Sequence, residues 1–421
     1  MAREKKVEQY DVVIIGGGAA GLTAGIYSGR ARLKTLLIEK SLVGGLATYT
    51  NEMENYPGFP EGTSGGGLME LFHKQTKKFG VEFKLTDVKS VDLAGEVKVV
   101  ETFRNKFEAK VVIIASGGRP RITGAINEDK YLFDKGISFC ATCDAASNTG
   151  KTVMVIGSGD AAIEEGMFLT KFADKVIVSV MHDNGKMDCN EIAKAAALDN
   201  PKMEFIWNTV THEFRGEDEL EYVVLKNLKT EELIPVKVDS CFEFIGYIPN
   251  TEMFKGQIDM TNRGYILTNE KMETNLAGVY SVGDVREKFL RQVATAVGDG
   301  AVAGFSAEKF ISEEEQFKSY ILRNDIDNLV YIYNGIDEAS RELLPKVQQI
   351  GLDREGYVCT PVDVYKSKGI AEKLGVDTFP CLVVVKDGKI VDKIDNDLCE
   401  SSICQALDAC ECSCSSCTCN C

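Results

Sequence analysis

Residues 10–39, YDVVIIGGGAAGLTAGIYSGRARLKTLLIE, decide the fold of this chain. Tyr10–Ile15 is a short apolar run rich in β-branched residues, the composition of a strand buried on both faces. Gly16-Gly17-Gly18-Ala19-Ala20-Gly21 follows at once. Leu22–Ala31 then has the small residues of a closely packed helix, and Thr35–Ile38 is a second strand ending at Glu39. This is a βαβ unit with G-x-G-x-x-G at its first turn. Glycines there let the backbone approach a pyrophosphate at the helix N-terminus, and the acid accepts ribose hydroxyls. Gly16, Gly18, Gly21 and Glu39 are therefore expected to hold a dinucleotide.

The pattern recurs. Thr152–Ile156 runs into Gly157-Ser158-Gly159-Asp160-Ala161-Ala162, then a helix from Ile163 to about Phe172 and a strand over Lys175–Val180. Two such units in one chain usually serve a flavin and a nicotinamide. The alternative is that the second unit keeps its glycines for packing and holds no nucleotide.

The surrounding composition narrows the class. The chain has 421 residues, too many for one domain of about 100–200. Hydrophobic residues make up 44% and charged residues 27%, the balance of a globular protein. A formal net charge of −16 argues against nucleic acid and anionic membrane surfaces as partners. MAREKKVEQY is polar and charged, without the apolar segment of a secretory signal, and no run is long enough to span a membrane. A cytoplasmic location is expected. The 14 cysteines suit reduced thiol or metal chemistry better than a secreted disulfide scaffold.

The chemistry lies between the two βαβ units, at Cys140-Ala141-Thr142-Cys143-Asp144. C-x-x-C brings two sulfurs within disulfide reach, and a neighbouring carboxyl can pass protons during exchange. Half of a zinc site is the competing reading. Cys189 and Cys241 are single and remote, however, and no histidine stands at ligand spacing.

With these motifs in order, residues 8–315 resemble the low-molecular-weight thioredoxin reductase family. The matching text is GGGAAG with Glu39, Gly44-Gly45-Leu46, Asn55-Tyr56-Pro57-Gly58-Phe59, Ala115-Ser116-Gly117, CATCD and GSGDAAIEEG. Phe244–Asn250, Gly283-Asp284, and Arg291-Gln292-Val293-Ala294 continue it. The resemblance implies an α/β fold of two Rossmann-like, three-layer domains. The first is an FAD domain over residues 1–118 and 250–315; the second, residues 119–249, is an inserted nicotinamide-type domain carrying the cysteines. It further implies a homodimer and FAD held by Gly16, Gly18, Gly21, Glu39, Gly45, Asn55, Gly283, Asp284, Arg291, Gln292 and Val293. Cys143 would exchange electrons with the flavin, Cys140 would attack a thioredoxin-like partner's disulfide, and Asp144 would be the acid. The inserted domain would rotate about linkers near Gly117–Gly118 and Gly246–Asn250.

Two departures from that family stand out. Its second nucleotide strand ends in His-Arg-Arg, which clamps the 2′-phosphate of NADPH; here the text is Val180-Met181-His182-Asp183. NADPH is disfavoured, because a guanidinium pair has no equal as a phosphate clamp. NADH, held by Gly157, Gly159, Ala162 and Glu164 with Asp183 on the ribose, or a ferredoxin-type donor as in a related branch, remain open.

The other departure is an appendage. Residues 318–397 resemble the later half of a thioredoxin domain, with Pro380 where that fold has its cis-proline and an Asp387-Gly388 hairpin. Tyr333–Ser340 carries no sulfur where C-x-x-C should stand, and Cys381 is expected to be a buried strand cysteine. After Asp397 no core is expected. Residues 398–421 form an unstructured thiol tail, with Cys410, Cys412, Cys414, Cys417, Cys419 and Cys421 near its end. Zinc or copper(I) binding and an electron relay are both open for the tail.

The function expected is FAD-dependent disulfide reduction. The alternative is a metal-handling or thiol-sensing protein whose flavin body keeps the tail reduced.

Overall fold

The computed structural model describes residues 5–50, 53–132, 135–395, 398, 402–403 and 407, and the chain divides into two units, residues 1–308 and 309–421. The first unit opens with β1 (Lys6–Ile15), α1 (Ala19–Arg30) and β2 (Thr35–Glu39). The strand starts earlier than its apolar run because polar Lys6–Gln9 find ladder partners in Asn105–Glu108. There follow α2 (Gly65–Lys78), β3 (Glu82–Leu85), β4 (Val88–Asp92), β5 (Lys98–Thr102) and β6 (Asn105–Ile114). The sheet order is β3-β2-β1-β6-β5-β4, parallel from β3 to β6 and antiparallel beyond. Ile14, Leu37 and Ile113 at its centre are fully buried, as strands covered on both faces require.

The inserted segment begins with β7 (Gly118–Pro120) and α3 (Glu128–Tyr131), then β8 (Ile137–Ser138) and α4 (Ala141–Asp144). β9 (Thr152–Ile156), α5 (Asp160–Leu169), β10 (Lys175–Val180), α6 (Glu191–Leu198) and β11 (Met203–Trp207) form the second βαβ run. Helix α5 stops before Phe172 because Lys202 Nζ takes the carbonyls of Thr170 and Ala173 at 2.8 Å, ending the ladder. β12 (Thr209–Arg215), β13 (Tyr222–Asn227) and β14 (Leu233–Lys237) make a separate antiparallel sheet. β15 (Ser240–Glu243) completes a parallel sheet of order β11-β10-β9-β15-β8.

The segment leaves by β16 (Tyr247–Pro249), which pairs antiparallel with β7. Entry and exit thus form one two-stranded ribbon, with Gly117 and Gly246 at φ +62° and +115°. Ser116 and Asn250 tie its base: Ser116 Oγ donates to the Asn250 carbonyl at 2.8 Å, and Asn250 Nδ2 to the Ser116 carbonyl at 2.9 Å. β17 (Val279–Ser281) then joins β6, and α7 (Val293–Gln316) follows.

Two buried acids sit just inside the ribbon. Glu128 accepts from Thr123 N, Thr123 Oγ1 and Gly124 N at 2.6–2.7 Å. Burial first, and then Glu128 beside it, push the Glu243 carboxyl up to about 9, so it is a protonated acid at neutral pH.

The second unit contains β18 (Asp327–Tyr333), α8 (Glu338–Leu352), β19 (Tyr357–Asp363), α9 (Val364–Lys373), β20 (Cys381–Lys386) and β21 (Lys389–Ile394). Its sheet runs β19-β18-β20-β21, with β19 parallel to β18 and the rest antiparallel. Asp387 and Gly388 both take positive φ, the two-residue turn that twisted hairpins favour, and the Phe379–Pro380 bond is cis. One expectation is corrected. The core does not end at Asp397: Ile403 and Leu407 are buried against Leu329, Tyr331, Val347, Leu382 and Val384, with Leu398 alongside. Three apolar residues spaced through a polar, cysteine-rich text were too sparse to read as a core segment.

Two predictions follow from this packing. Ile403→Ala or Leu407→Ala should each destabilise the second unit by about 2–5 kcal/mol, measured by chemical denaturation of the full chain. An unchanged midpoint would remove these residues from the core. For Glu243, the native state keeps a proton that the unfolded state loses above its ordinary range, so stability should fall as pH rises from about 4.5 to 9. Glu243→Gln should flatten that slope in denaturation curves recorded across the same interval.

Candidate functional site

The end of β1, the start of α1 and the end of β6 meet at the first glycine turn. Gly16 has φ +111°, and a Cβ on it would lie 2.1 Å from the Ala115 carbonyl oxygen; one on Gly21 would lie 2.0 Å from the Gly16 carbonyl oxygen. Only glycine permits this approach. Gly18 is the N-cap of α1 and no side chain caps the helix, which leaves its first N–H groups facing the crevice. Gly45 crosses in front, with its Cβ position 3.3 Å from Gly18 Cα. Glu39 closes the turn by accepting from Gly17 N at 2.7 Å.

On the far side, Gly283-Asp284 lies in a short turn before α7. Gly283 N donates to Asp299 Oδ2 at 3.0 Å, and Asp299 is itself paired with Lys288 at 2.7 Å and Arg286 at 3.3 Å. Burial raises the Asp284 carboxyl, which has no hydrogen-bond partner among the described residues. Arg291 stacks on Tyr265, 4.2 Å from its ring centre, and its Nε is buried without a hydrogen-bond partner among the described residues. An uncapped helix N-terminus, an unpartnered acid and an orphaned donor fit a flavin dinucleotide.

Cys140 and Cys143 form a disulfide at the start of α4. Gln292 Nε2 lies 3.9 Å from Cys140 Sγ and 3.4 Å from Thr142 Oγ1, while its Oε1 accepts from Asn55 Nδ2 at 3.1 Å. Asn55, Gln292 and the disulfide are therefore in one place, with Val293 opening α7 next to Gln292. Asp144 accepts from Ser138 Oγ at 2.5 Å, and burial raises its carboxyl toward the neutral form.

At the second glycine turn Gly157 takes φ +130° and Gly159 caps α5 without a side-chain bond; Ala162 is buried and Glu164 faces solvent. Asp183, the candidate ribose acid, is ion-paired with Lys229, which holds its carboxyl below the usual range. Asp188 accepts from His182 Nε2 at 2.8 Å and Ser158 Oγ at 2.9 Å, and both hold its carboxyl low. No arginine occurs between Arg121 and Arg215.

Sequence reasoning missed Ser138, Thr142, Ser158, Asp188, Lys288 and Asp299. Each acts through a contact across a turn or domain, for which local text carries no signal. Among the described residues no cluster of side chains suits a metal ion and no helix is long and apolar enough to cross a membrane. The tail cysteines Cys410, Cys412, Cys414, Cys417, Cys419 and Cys421 lie outside the described residues. Cys381 is buried, which pushes its thiol up to about 11.

Comparison with known proteins identifies the family. Residues 10–300 match the pyridine nucleotide-disulphide oxidoreductase family. The chain is 42% identical over 308 residues to a thioredoxin reductase of Peptoclostridium acidaminophilum, covering 72% of this chain and 97% of the relative. It is 40% identical over 314 residues to a thioredoxin reductase of Bacillus subtilis, covering 74% and 98%. The crystal structure of thioredoxin reductase from Streptococcus pyogenes superposes with a TM-score of 0.69 at 37% identity, covering 72% of this chain and 99% of that one. This chain belongs to the thioredoxin reductase family of flavoprotein oxidoreductases.

Proposed function

We propose that Cys140 and Cys143 are the redox-active pair of this disulfide reductase, with FAD in the first glycine cradle and thioredoxin or a thioredoxin-like protein as acceptor. The observation that carries this reading is the Asn55–Gln292–Cys140 chain of contacts, which joins the disulfide to the mouth of the cradle. FAD, when bound, supplies two-electron transfer to a disulfide. The helix N-terminus at Gly18, with Gly16, Gly21 and Gly45 around it, receives the pyrophosphate. Glu39 takes the ribose and Asp284 the ribityl chain, while Arg291, Gln292 and Val293 border the ring. Cys143 faces the electrons, Cys140 attacks the partner disulfide, and Asp144, whose carboxyl burial holds above its ordinary range, passes the proton that a departing thiolate needs. Residues 119–249 turn about the β7–β16 ribbon to alternate between flavin and partner, as a body inserted between residues 1–118 and 250–315.

The donor is proposed as NADH or a ferredoxin-type protein rather than NADPH. Two carboxylates, Asp183 and Asp188, stand near the end of β10, and a 2′-phosphate there would meet them with no arginine in reach of sequence. NADH would use Gly157, Gly159, Ala162 and Glu164. The protein is proposed to work as a cytoplasmic homodimer. Its second unit, thioredoxin-like but with no sulfur over Tyr333–Ser340, serves as a docking module, and its tail thiols serve as a relay. Zinc or copper(I) in stoichiometric amount on the full chain, absent from one ending at Leu407, would replace relay by metal binding.

Cys143→Ser should keep the bound flavin's absorbance and lose disulfide reduction by at least about 1,000-fold; retained turnover would end this assignment. In anaerobic mixing, NADPH should bleach the flavin at least about tenfold more slowly than NADH or reduced ferredoxin, since a 2′-phosphate would have to displace the pairings of Asp183 and Asp188, and one lost charge-assisted bond costs about 1.5–3 kcal/mol. Faster bleaching by NADPH would reverse the donor assignment.

A further inference from the structure

Cleaving a disulfide by entry at one sulfur leaves the bonding electron pair on the other, and the two sulfurs here have unequal surroundings. Thr142 Oγ1 lies 3.5 Å from Cys140 Sγ, and Gln292 Nε2 lies 3.9 Å from it. The two groups also meet each other at 3.4 Å. Asn55 Nδ2 donates to Gln292 Oε1, so the amide turns its N–H end toward the sulfur. Among the described residues no hydrogen-bond donor reaches Cys143 Sγ. On the other side of the loop, Cys140 N donates to Ser138 Oγ at 3.1 Å, and Ser138 Oγ in turn donates to Asp144.

A sulfur within a disulfide is a weak acceptor, whereas a thiolate is charged and accepts strongly. Donors that gain little in the oxidised state therefore gain most as negative charge develops, the arrangement that favours a transition state over its ground state. We propose that the Thr142 hydroxyl and the Gln292 carboxamide form a thiolate hole for Cys140, which makes Cys140 the leaving sulfur whenever electrons or a nucleophile enter at Cys143. Both groups touch the reacting atom, and Asn55 is a positioning residue. The inference rests on the redox role proposed for the pair and adds which residues set its polarity.

The step balances with any two-electron entry. A thiolate RS⁻ attacking Cys143 Sγ forms an RS–Sγ bond, the Sγ–Sγ bond breaks, and its electron pair stays on Cys140 Sγ. That sulfur is then protonated by Asp144 or solvent. FAD, were it bound in reduced form, would supply an electron pair at Cys143, and Cys140 would again hold the charge left by the broken bond.

Reduced glutathione, added anaerobically to the oxidised full-length holoprotein and quenched with acid within the first turnover, tests the assignment by mass mapping of the adduct. The readout is the ratio of glutathione on Cys143 to glutathione on Cys140. Thr142→Val keeps the shape but lacks the hydroxyl, and should lower that ratio by about 5–10-fold from wild type, while Thr142→Ser should restore it. A second readout uses Cys143→Ser at fixed pH 7, in which Thr142→Val should slow alkylation of Cys140 by iodoacetamide about 5–10-fold. Thr142→Ala serves the same purpose should the valine variant lose flavin absorbance. An adduct ratio, or an alkylation rate, unmoved by loss of the hydroxyl overturns the thiolate hole. Either result combined with an inactive Cys143→Ser leaves the redox pair standing. Turnover retained by Cys143→Ser removes the redox pair itself, whatever the adduct ratio.

Discussion

The close approach of three backbones at the first glycine turn is the constraint on which the rest depends. Gly16 touches the carbonyl of Ala115 and Gly21 touches the carbonyl of Gly16, so β1, α1 and β6 are locked together without intervening side chains. That lock leaves the N-terminus of α1 with no side-chain cap among the described residues, so its partial positive charge is free for a ligand. The crevice is then completed from sequence positions far downstream, by Gly283-Asp284 and by the start of α7. A side chain at either glycine would separate strand from helix and dissolve the cradle before any binding residue was touched.

The same turn built a second time, at Gly157, shows how fold and ligand part company. Gly157 is as constrained as Gly16, since a Cβ there would meet the Phe244 carbonyl at 2.6 Å. Packing alone accounts for it. What distinguishes the two crevices is charge. Both present an uncapped helix end, but the first adds an Arg291 Nε with no hydrogen-bond partner among the described residues, whereas the second adds Asp183, ion-paired with Lys229, and Asp188, hydrogen-bonded to His182 and Ser158. An anionic 2′-phosphate would have to displace those pairings, while a ribose with two hydroxyls would only need an acceptor.

Legibility in the sequence followed the range of the interaction. Both βαβ units, the C-x-x-C and the Asp387-Gly388 hairpin are local patterns, and each stands within a few residues of where its text put it. Strand β1 began early and α5 ended early because their limits are set by β6 and by Lys202, neither of which is near in sequence. Asn55 and Gln292 were legible through family resemblance alone; nothing in their own surroundings announces that they meet at Cys140. Thr142 sits between the cysteines in plain view. A hydroxyl in that position becomes informative only when an amide arrives from the other side of the molecule. Ile403 and Leu407 failed to register because a cysteine-rich text masks the few apolar side chains on which burial depends.

Asp299 illustrates why such distant partners matter energetically. It lies on α7 and pairs with Lys288 and Arg286 from the segment before that helix, and Lys288 and Asp299 are both nearly excluded from water. Burying three charges contributes little net stability and often less than apolar side chains of the same size would. The arrangement is better understood through what it fixes: Asp299 takes the Gly283 N–H, so the turn holding Asp284 cannot shift without exposing an unpaired buried charge. Leaving one member alone is the costly change, on the order of 3–5 kcal/mol, and that cost rather than the pairing energy holds the turn in place. Asp284, a carboxyl with no hydrogen-bond partner among the described residues, is thereby held in place by Asp299, which has three. The cradle is rigid for the same reason that its supports are charged.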